Sequence, residues 1–334
     1  MTPDRRSLLL AAAGALVLPG SALAARRKPA VVRCKGRVNY AGPPLRGQFG
    51  DWQFEAAAKA GASRLAPVIS DGLETAFEKA AGAMKTSALT AALATADGGI
   101  WTQTLTSSRD AAHPTSFFWA SVGKAYTATA ILQLVEEGKL SLDAPLSRWA
   151  PQMPGAAWIT VEDLLAHTSG LYSFQADPGL RAEPGYKPPE RLLAVGAAGA
   201  PAFCPGGGWS YSNTGYVLLG KIIEALDGRP YHEALTQRVV TRLDLRETTV
   251  LAPRQVLQGM AALAVSADTD GASDDVTTPY AAGGVAASAA DVVRFWRALL
   301  ANRLHKAEMT RRRFARLYPM TGVGPGYYGL GVMV

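Results

Sequence analysis

Cysteine and histidine are scarce: two and four residues respectively in a chain of 334. The histidines at 113, 167, 232 and 305 fall in no ligand-like spacing, so no metal centre and no cofactor is expected. Cys34 and Cys204 are separated by 170 residues, and sequence alone leaves open whether they pair or remain two thiols. No stretch of the mature chain reaches 18 apolar residues, which excludes a stable membrane anchor there. Charge is modest at 18% of residues. The formal net charge is +7, but apart from Arg26-Arg27-Lys28 and Arg311-Arg312-Arg313 the basic residues are scattered. No basic platform interleaved with aromatics is present, so nucleic acid is not an expected partner. The positive balance suits an acidic cell envelope better. Internal repeats and low-complexity arrays are also missing.

What is present reads as a globular chain long enough to bury a large core, with 48% hydrophobic residues. Residues 1–25 have the order of an export signal: Arg5-Arg6, an apolar run from Leu8 to Leu18, Pro19-Gly20, then Ala22-Leu23-Ala24. The paired arginines and the alanine-softened apolar run favour the twin-arginine type over the general secretory one, so a periplasmic or secreted protein is expected. Residues 26–66 are rich in Pro, Gly and Arg and predict an irregular lead-in to one domain over 67–334. Within it, Leu73, Ala76, Phe77, Ala80 and Ala81 predict a helix ending at Met84. Two short runs, 87–96 and 100–106, are joined by Asp97-Gly98-Gly99 and predict a hairpin. Helices follow near 121–137, 160–167, 190–198, 213–227, 231–243, 289–302 and 306–317, and the last residues, 328–334, have strand character.

The chemistry-bearing stretch is Ala120-Ser121-Val122-Gly123-Lys124. Serine and lysine three residues apart at a helix start lie on one face, which places an amine beside a hydroxyl. Alone, S-x-x-K is weak, with about 0.5 chance matches expected in a chain of this size. Further on stands Tyr211-Ser212-Asn213. Acyl transfer by serine needs a base for the hydroxyl proton and an acid for the leaving group. Lys124, its pKa lowered by burial, can be that base. Tyr211, its phenol pKa lowered by facing a lysine, can carry the proton onward. The Asn213 amide can donate to a substrate carbonyl and accept from Lys124. The helix start at Ser121 also turns backbone N–H groups toward a developing oxyanion. His167, at the end of a short helix, reads as structural.

Together these segments resemble the serine beta-lactamase-like family of class C beta-lactamases, D-alanyl-D-alanine carboxypeptidases and related esterases. The likeness rests on an ordered set of blocks. It begins with residues 120–124, then 134–143 (LVEEGKLSLD) and 164–171 (LLAHTSGL). It continues with Pro205-Gly206 through Tyr216, and with Gly283-Gly284 and Asp291. The resemblance implies an α+β fold: an antiparallel sheet flanked by helices, with a mostly helical inserted region over about 121–285. It implies that Ser121 is the nucleophile, Lys124 its activating partner, Tyr211 the general acid/base and Asn213 a substrate and lysine positioner. His167 and Asp291 fall in blocks that look structural. The expected substrate is a small ester or amide, beta-lactam-like or peptidoglycan-like, acted on by a monomer. A third motif, Lys-Thr-Gly or His-x-Gly, two late strands and a terminal helix belong to the family pattern beyond the position of Val334. With the sequence ending there, hairpin 87–106 is expected to lack strand partners. An impaired envelope protein that binds peptidoglycan fragments is therefore the alternative function.

Overall fold

The computed structural model describes residues 32–47, 65, 67–84, 88–95, 99–106, 116–257, 275–322 and 325–334. The expected export signal and most of the lead-in lie outside these residues. In chain order the elements are β1 (Arg46–Gly47), α1 (Pro67–Met84), β2 (Ala88–Ala94), β3 (Ile100–Thr106) and β4 (Phe117–Phe118). Next come α2 (Gly123–Glu136), α3 (Val161–Ala166), α4 (Pro178–Ala182), α5 (Pro189–Ala198), α6 (Asn213–Asp227) and α7 (Tyr231–Leu235). The chain closes with β5 (Thr248–Val250), β6 (Val285–Ala287), α8 (Ala289–Leu300), α9 (Ala307–Phe314), β7 (Arg316–Pro319) and β8 (Tyr327–Tyr328). This is the mixed α+β architecture expected, with its antiparallel strands divided among three small sheets: β1-β7-β8, β2-β3 and β4-β6-β5.

Helix α2 is the axis of the molecule. Every residue from Gly123 to Leu134 is buried, so the helix has no solvent face and belongs to the centre of a core. Its polar side chains must then bond internally. Thr127 Oγ1 donates to the Ala281 carbonyl at 2.7 Å, and Thr129 Oγ1 to the Ala125 carbonyl at 2.8 Å. The Gln133 amide reaches the Arg238 and Leu304 carbonyls. On another face Tyr126 stacks flat on Phe295 of α8, centroids 3.7 Å apart. Helix α6 packs beside α2, and its buried Leu218, Leu219, Ile222 and Ile223 share one core with the α2 side chains. Val217 turns to a second cluster with Phe174, Leu180, Leu192 and Val195. Strand β6 lies between β4 and β5. Its carbonyl at Val285 receives the Trp119 N–H at 3.0 Å, fixing the residues just ahead of Ser121.

Two sequence expectations shift. The predicted helix over 306–317 stops at Phe314, and its tail becomes β7, with Leu317 opposite Arg46 and Arg316 opposite Gly47. That partner comes from the far end of the chain, where no local periodicity can show it. The terminal segment is strand only at Tyr327–Tyr328, then doubles back so that Tyr327 and Val334 exchange both backbone hydrogen bonds at 2.8 Å. Hairpin β2–β3 pairs in full register from Ala88–Thr106 to Ala94–Ile100. Among the described residues it has no third strand, and α8 packs against it.

Candidate active site

Ser121 sits in a single 3₁₀ turn, residues 120–122, directly ahead of α2. It is exposed, whereas Lys124 behind it is buried. The preceding Ala120 has φ 46°, a left-handed conformation costly for alanine and of the kind that clusters at functional sites. Its carbonyl leaves no room for a side chain at Gly283, where a Cβ would approach it to 2.8 Å.

Lys124 Nζ stands 3.1 Å from Ser121 Oγ and donates to the Ala282 carbonyl at 2.6 Å. Burial drives its pKa well below the ordinary lysine value. The ring faces of Tyr211 and Tyr216, 4.9 and 5.3 Å away, favour the cation. Such contacts contribute about 0.5–2 kcal/mol, whereas removing an ammonium from water costs several kcal/mol. Burial outweighs these contacts, so the amine loses its proton more readily than an exposed lysine does.

Tyr211 hydrogen-bonds to Ser121, yet burial pushes its phenol up to about 12, and the Ser121 bond only partly offsets this. The sequence expectation was the reverse, a phenol acidified by a facing lysine. The correction follows from burial: removing the phenol from water destabilises the phenolate by more than the Ser121 bond stabilises it. Tyr211 is therefore a protonated donor at neutral pH.

Asn213 opens α6 and is buried. Its side-chain amide donates to Gln175 Oε1, and its backbone N–H donates to Ser173 Oγ at 3.2 Å. The expected bond from Lys124 is not made. Asn213 Oδ1 is buried without a partner, and the lysine's donors go to Ser121 and Ala282 instead. The structure thus brings Ser121, Lys124 and Tyr211 together and ties Asn213 to the 172–175 segment, where Thr214 Oγ1 also donates to the Tyr172 carbonyl at 2.7 Å. Sequence reasoning missed Ala282, Ser173 and Gln175. The first acts through its backbone and leaves no side-chain signal, although the adjacent Gly283-Gly284 marked the region.

His167 is the C-cap of α3, with φ 62°. Its Nδ1 accepts the Ser212 N–H at 3.2 Å, and its ring lies among those of Trp209, Tyr211, Tyr216 and Tyr328. Burial holds its pKa well below the ordinary imidazole value. It supports the Tyr211 segment from below. Asp291 accepts from the Glu247 N–H at 2.8 Å and from Thr248 Oγ1 at 3.0 Å, joining α8 to the start of β5. No group of three metal-binding side chains occurs among the described residues.

A serine on a 3₁₀ turn before a buried helix thus stands 3.1 Å from a buried lysine in an α+β fold. The chain belongs to the Beta-lactamase family, whose model matches residues 72–334. It is 35% identical over 193 residues to Penicillin-binding protein 4 of Amycolatopsis lactamdurans, covering 53% of this chain and 49% of that protein. It is 35% identical over 160 residues to Esterase EstB of Burkholderia gladioli, covering 42% of this chain and 40% of the esterase. Among solved structures, a D-stereospecific amidohydrolase from Streptomyces superposes with TM-score 0.66 at 32% identity, over 79% of this chain and 82% of that one. The chain spans about half or less of the length of the curated relatives it matches.

Proposed function

We propose that this protein is an exported serine hydrolase that cleaves small esters or amides through an acyl-enzyme on Ser121. The observation that carries the reading is the 3.1 Å approach of Ser121 Oγ to a buried amine whose pKa burial lowers well below the ordinary lysine value. A neutral Lys124 takes the Ser121 proton as Oγ bonds to the substrate carbonyl carbon. The Tyr211 phenol, protonated and bonded to Ser121, gives its proton to the departing nitrogen or oxygen. The new ammonium at Lys124 restores the tyrosine proton, and water then releases the acyl group by the reverse use of the same pair. Asn213, tied to Ser173 and Gln175, is the residue assigned to positioning a substrate carbonyl. The relatives' names span penicillin binding, ester cleavage and amide cleavage, and this supports a site tolerant of the leaving group.

The test is to incubate the chain with a fluorescent penicillin and, separately, with a fluorophosphonate, then map the adduct by mass spectrometry. We expect one adduct, on Ser121. Folded protein that carries none, or carries it elsewhere, sinks the reading. Chromogenic ester, cephalosporin and D-alanyl-D-alanine peptide, offered in parallel, rank the leaving groups. Residues 1–25 add export to the reading, placing the enzyme in the periplasm or outside the cell. Replacing Arg5 and Arg6 by lysines is expected to stop translocation of a folded reporter, and normal translocation would point to the general secretory route.

A further inference from the structure

The loop that presents Tyr211 is held from two sides. One side is the end of α3: Gly206 N–H donates to the Thr168 carbonyl at 2.9 Å, and Ser210 N–H to the His167 carbonyl at 3.0 Å. Ser212 N–H donates to His167 Nδ1. The other side is a segment far earlier in the chain. Cys34 is disulfide-bonded to Cys204, 170 residues on, with Cα atoms 5.3 Å apart. Val38 N–H donates to the Pro205 carbonyl and Ala41 N–H to the Gly207 carbonyl, both at 3.0 Å. The early segment lies so close that a Cβ on Gly206 would stand 2.6 Å from the Val38 carbonyl oxygen.

Arg37 joins the two sides. Its guanidinium grips Asp163 with both terminal nitrogens, Nη2 to Oδ1 at 3.0 Å and Nη1 to Oδ2. The Asp163 side chain is 2% exposed. It also accepts from the Thr160 N–H and hydroxyl, both at 2.9 Å, and from Thr168 Oγ1 at 2.7 Å. Among the described residues Arg37 is the cation paired with this carboxylate. Asp163 thus closes the capping box at the start of α3 and, through Thr168, supports the carbonyl that holds Gly206. A planar two-pronged donor suits that double duty in a way a single ammonium does not.

We propose that residues 34–41 form a positioning strap for the loop bearing Tyr211, with Arg37 as its key positioning residue and the Cys34–Cys204 bond as its staple. The inference rests on the assignment of Tyr211 as proton donor. The strap touches no substrate; it sets where the phenol stands relative to Ser121. A misplacement of about 1 Å can cost ~10²-fold in rate. Asn213 is clamped separately by Ser173 and Gln175, so substrate binding is expected to change little.

The experiment compares the parent, Arg37→Gln, Arg37→Lys and Cys34→Ala as full chains, all below their unfolding temperatures. Hydrogen exchange followed by mass spectrometry reads peptides covering 204–213 against those of α2. Steady-state kinetics on a chromogenic ester then separates kcat from KM. In Arg37→Gln we expect at least tenfold faster exchange in 204–213, with α2 unchanged. We expect kcat to fall about 10–10²-fold with KM within about threefold, and Arg37→Lys to restore part of the loss. Should Cys34→Ala fail to fold, Arg37→Gln keeps the staple and still decides. Unchanged exchange in 204–213 for Arg37→Gln overturns the strap. So does a rise of equal size in α2, which would mark a general loss of stability. A parent that never acylates refutes the acyl-enzyme reading alone, and the exchange comparison still decides whether residues 34–41 position the loop.

Discussion

Methionine in place of Lys124 is expected to slow acylation of Ser121 by about 10²–10⁴-fold, the range a positioned proton acceptor supplies, while making the protein more stable. The two effects share one cause. Lys124 is buried, and its environment contains no carboxylate partner among its described hydrogen bonds, only Ser121 Oγ and the Ala282 carbonyl. Its folded pKa is therefore depressed, and between that value and the ordinary 10.5 the unfolded chain binds one more proton than the native state. Stability rises with pH through that window, which is a cost to the native state at any pH below it. Methionine has a similar length, no charge and a flexible thioether, so it fills the same space without that cost. The gain in melting temperature should accordingly be largest at acidic to neutral pH and vanish above about 10.5. For the parent the same depression makes the basic form of Lys124 available at lower pH than an exposed lysine allows. Acylation should rise with pH on a limb well below the lysine range and then stay level until Tyr211 ionises near 12. Acylation rates from about pH 5 to 10 and calorimetric melting of both proteins test this. A variant that is less stable than the parent at mildly acidic pH, or that acylates at the parental rate, would refute the role given to Lys124.

How much of this site could be read from the sequence depends on whether each interaction is local. Ser121 and Lys124 are three residues apart, and helical geometry alone puts them on one face. The hairpin over 88–106 was legible for the same reason, since Asp97-Gly98-Gly99 joins its two strands directly. Tyr211 and Asn213 were legible through their order along the chain with the other family blocks. Interactions made across long separations were not. The pairing of Cys34 with Cys204, Arg37 with Asp163 and β1 with β7 each closes a loop of more than a hundred residues, and no periodicity encodes which distant segment arrives. The protonation of Tyr211 failed for a subtler reason. It depends on how deeply the phenol is buried by the fold, not on which residue types face each other. Asn213 followed the same pattern: its identity suggested a bond to Lys124, but Ser173 and Gln175 take its donors.

The packing of the last described residues against α2 gives the second large effect. Gly331 has φ 73°, its N–H donates to the Leu165 carbonyl at 3.2 Å, and a Cβ there would fall 2.1 Å from the Ala128 Cβ and 3.1 Å from the Tyr216 hydroxyl. Ala128 lies one turn beyond Lys124 on α2 and is fully buried. Its methyl group is the first atom off the helix backbone, so no side-chain rotation can clear the overlap. Gly331→Ala therefore incurs the left-handed conformation, about 1–2 kcal/mol, together with overpacking of about 1–3 kcal/mol. A loss of roughly 2–5 kcal/mol is a large part of the 5–15 kcal/mol that ordinarily separates folded from unfolded chains. Gly138, just past the end of α2, supplies the control. It has φ 69° and nothing within 4 Å of the place an added methyl group would occupy, so Gly138→Ala incurs the conformational cost alone. Denaturant unfolding of the two variants should place Gly331→Ala below Gly138→Ala by about 1–3 kcal/mol. Because relief of the overlap requires α2 to move at Ala128, Gly331→Ala should also lower the rate of Ser121 labelling in protein that remains folded, whereas Gly138→Ala should not. Equal losses of stability would mean that the terminal segment gives way and α2 does not feel it.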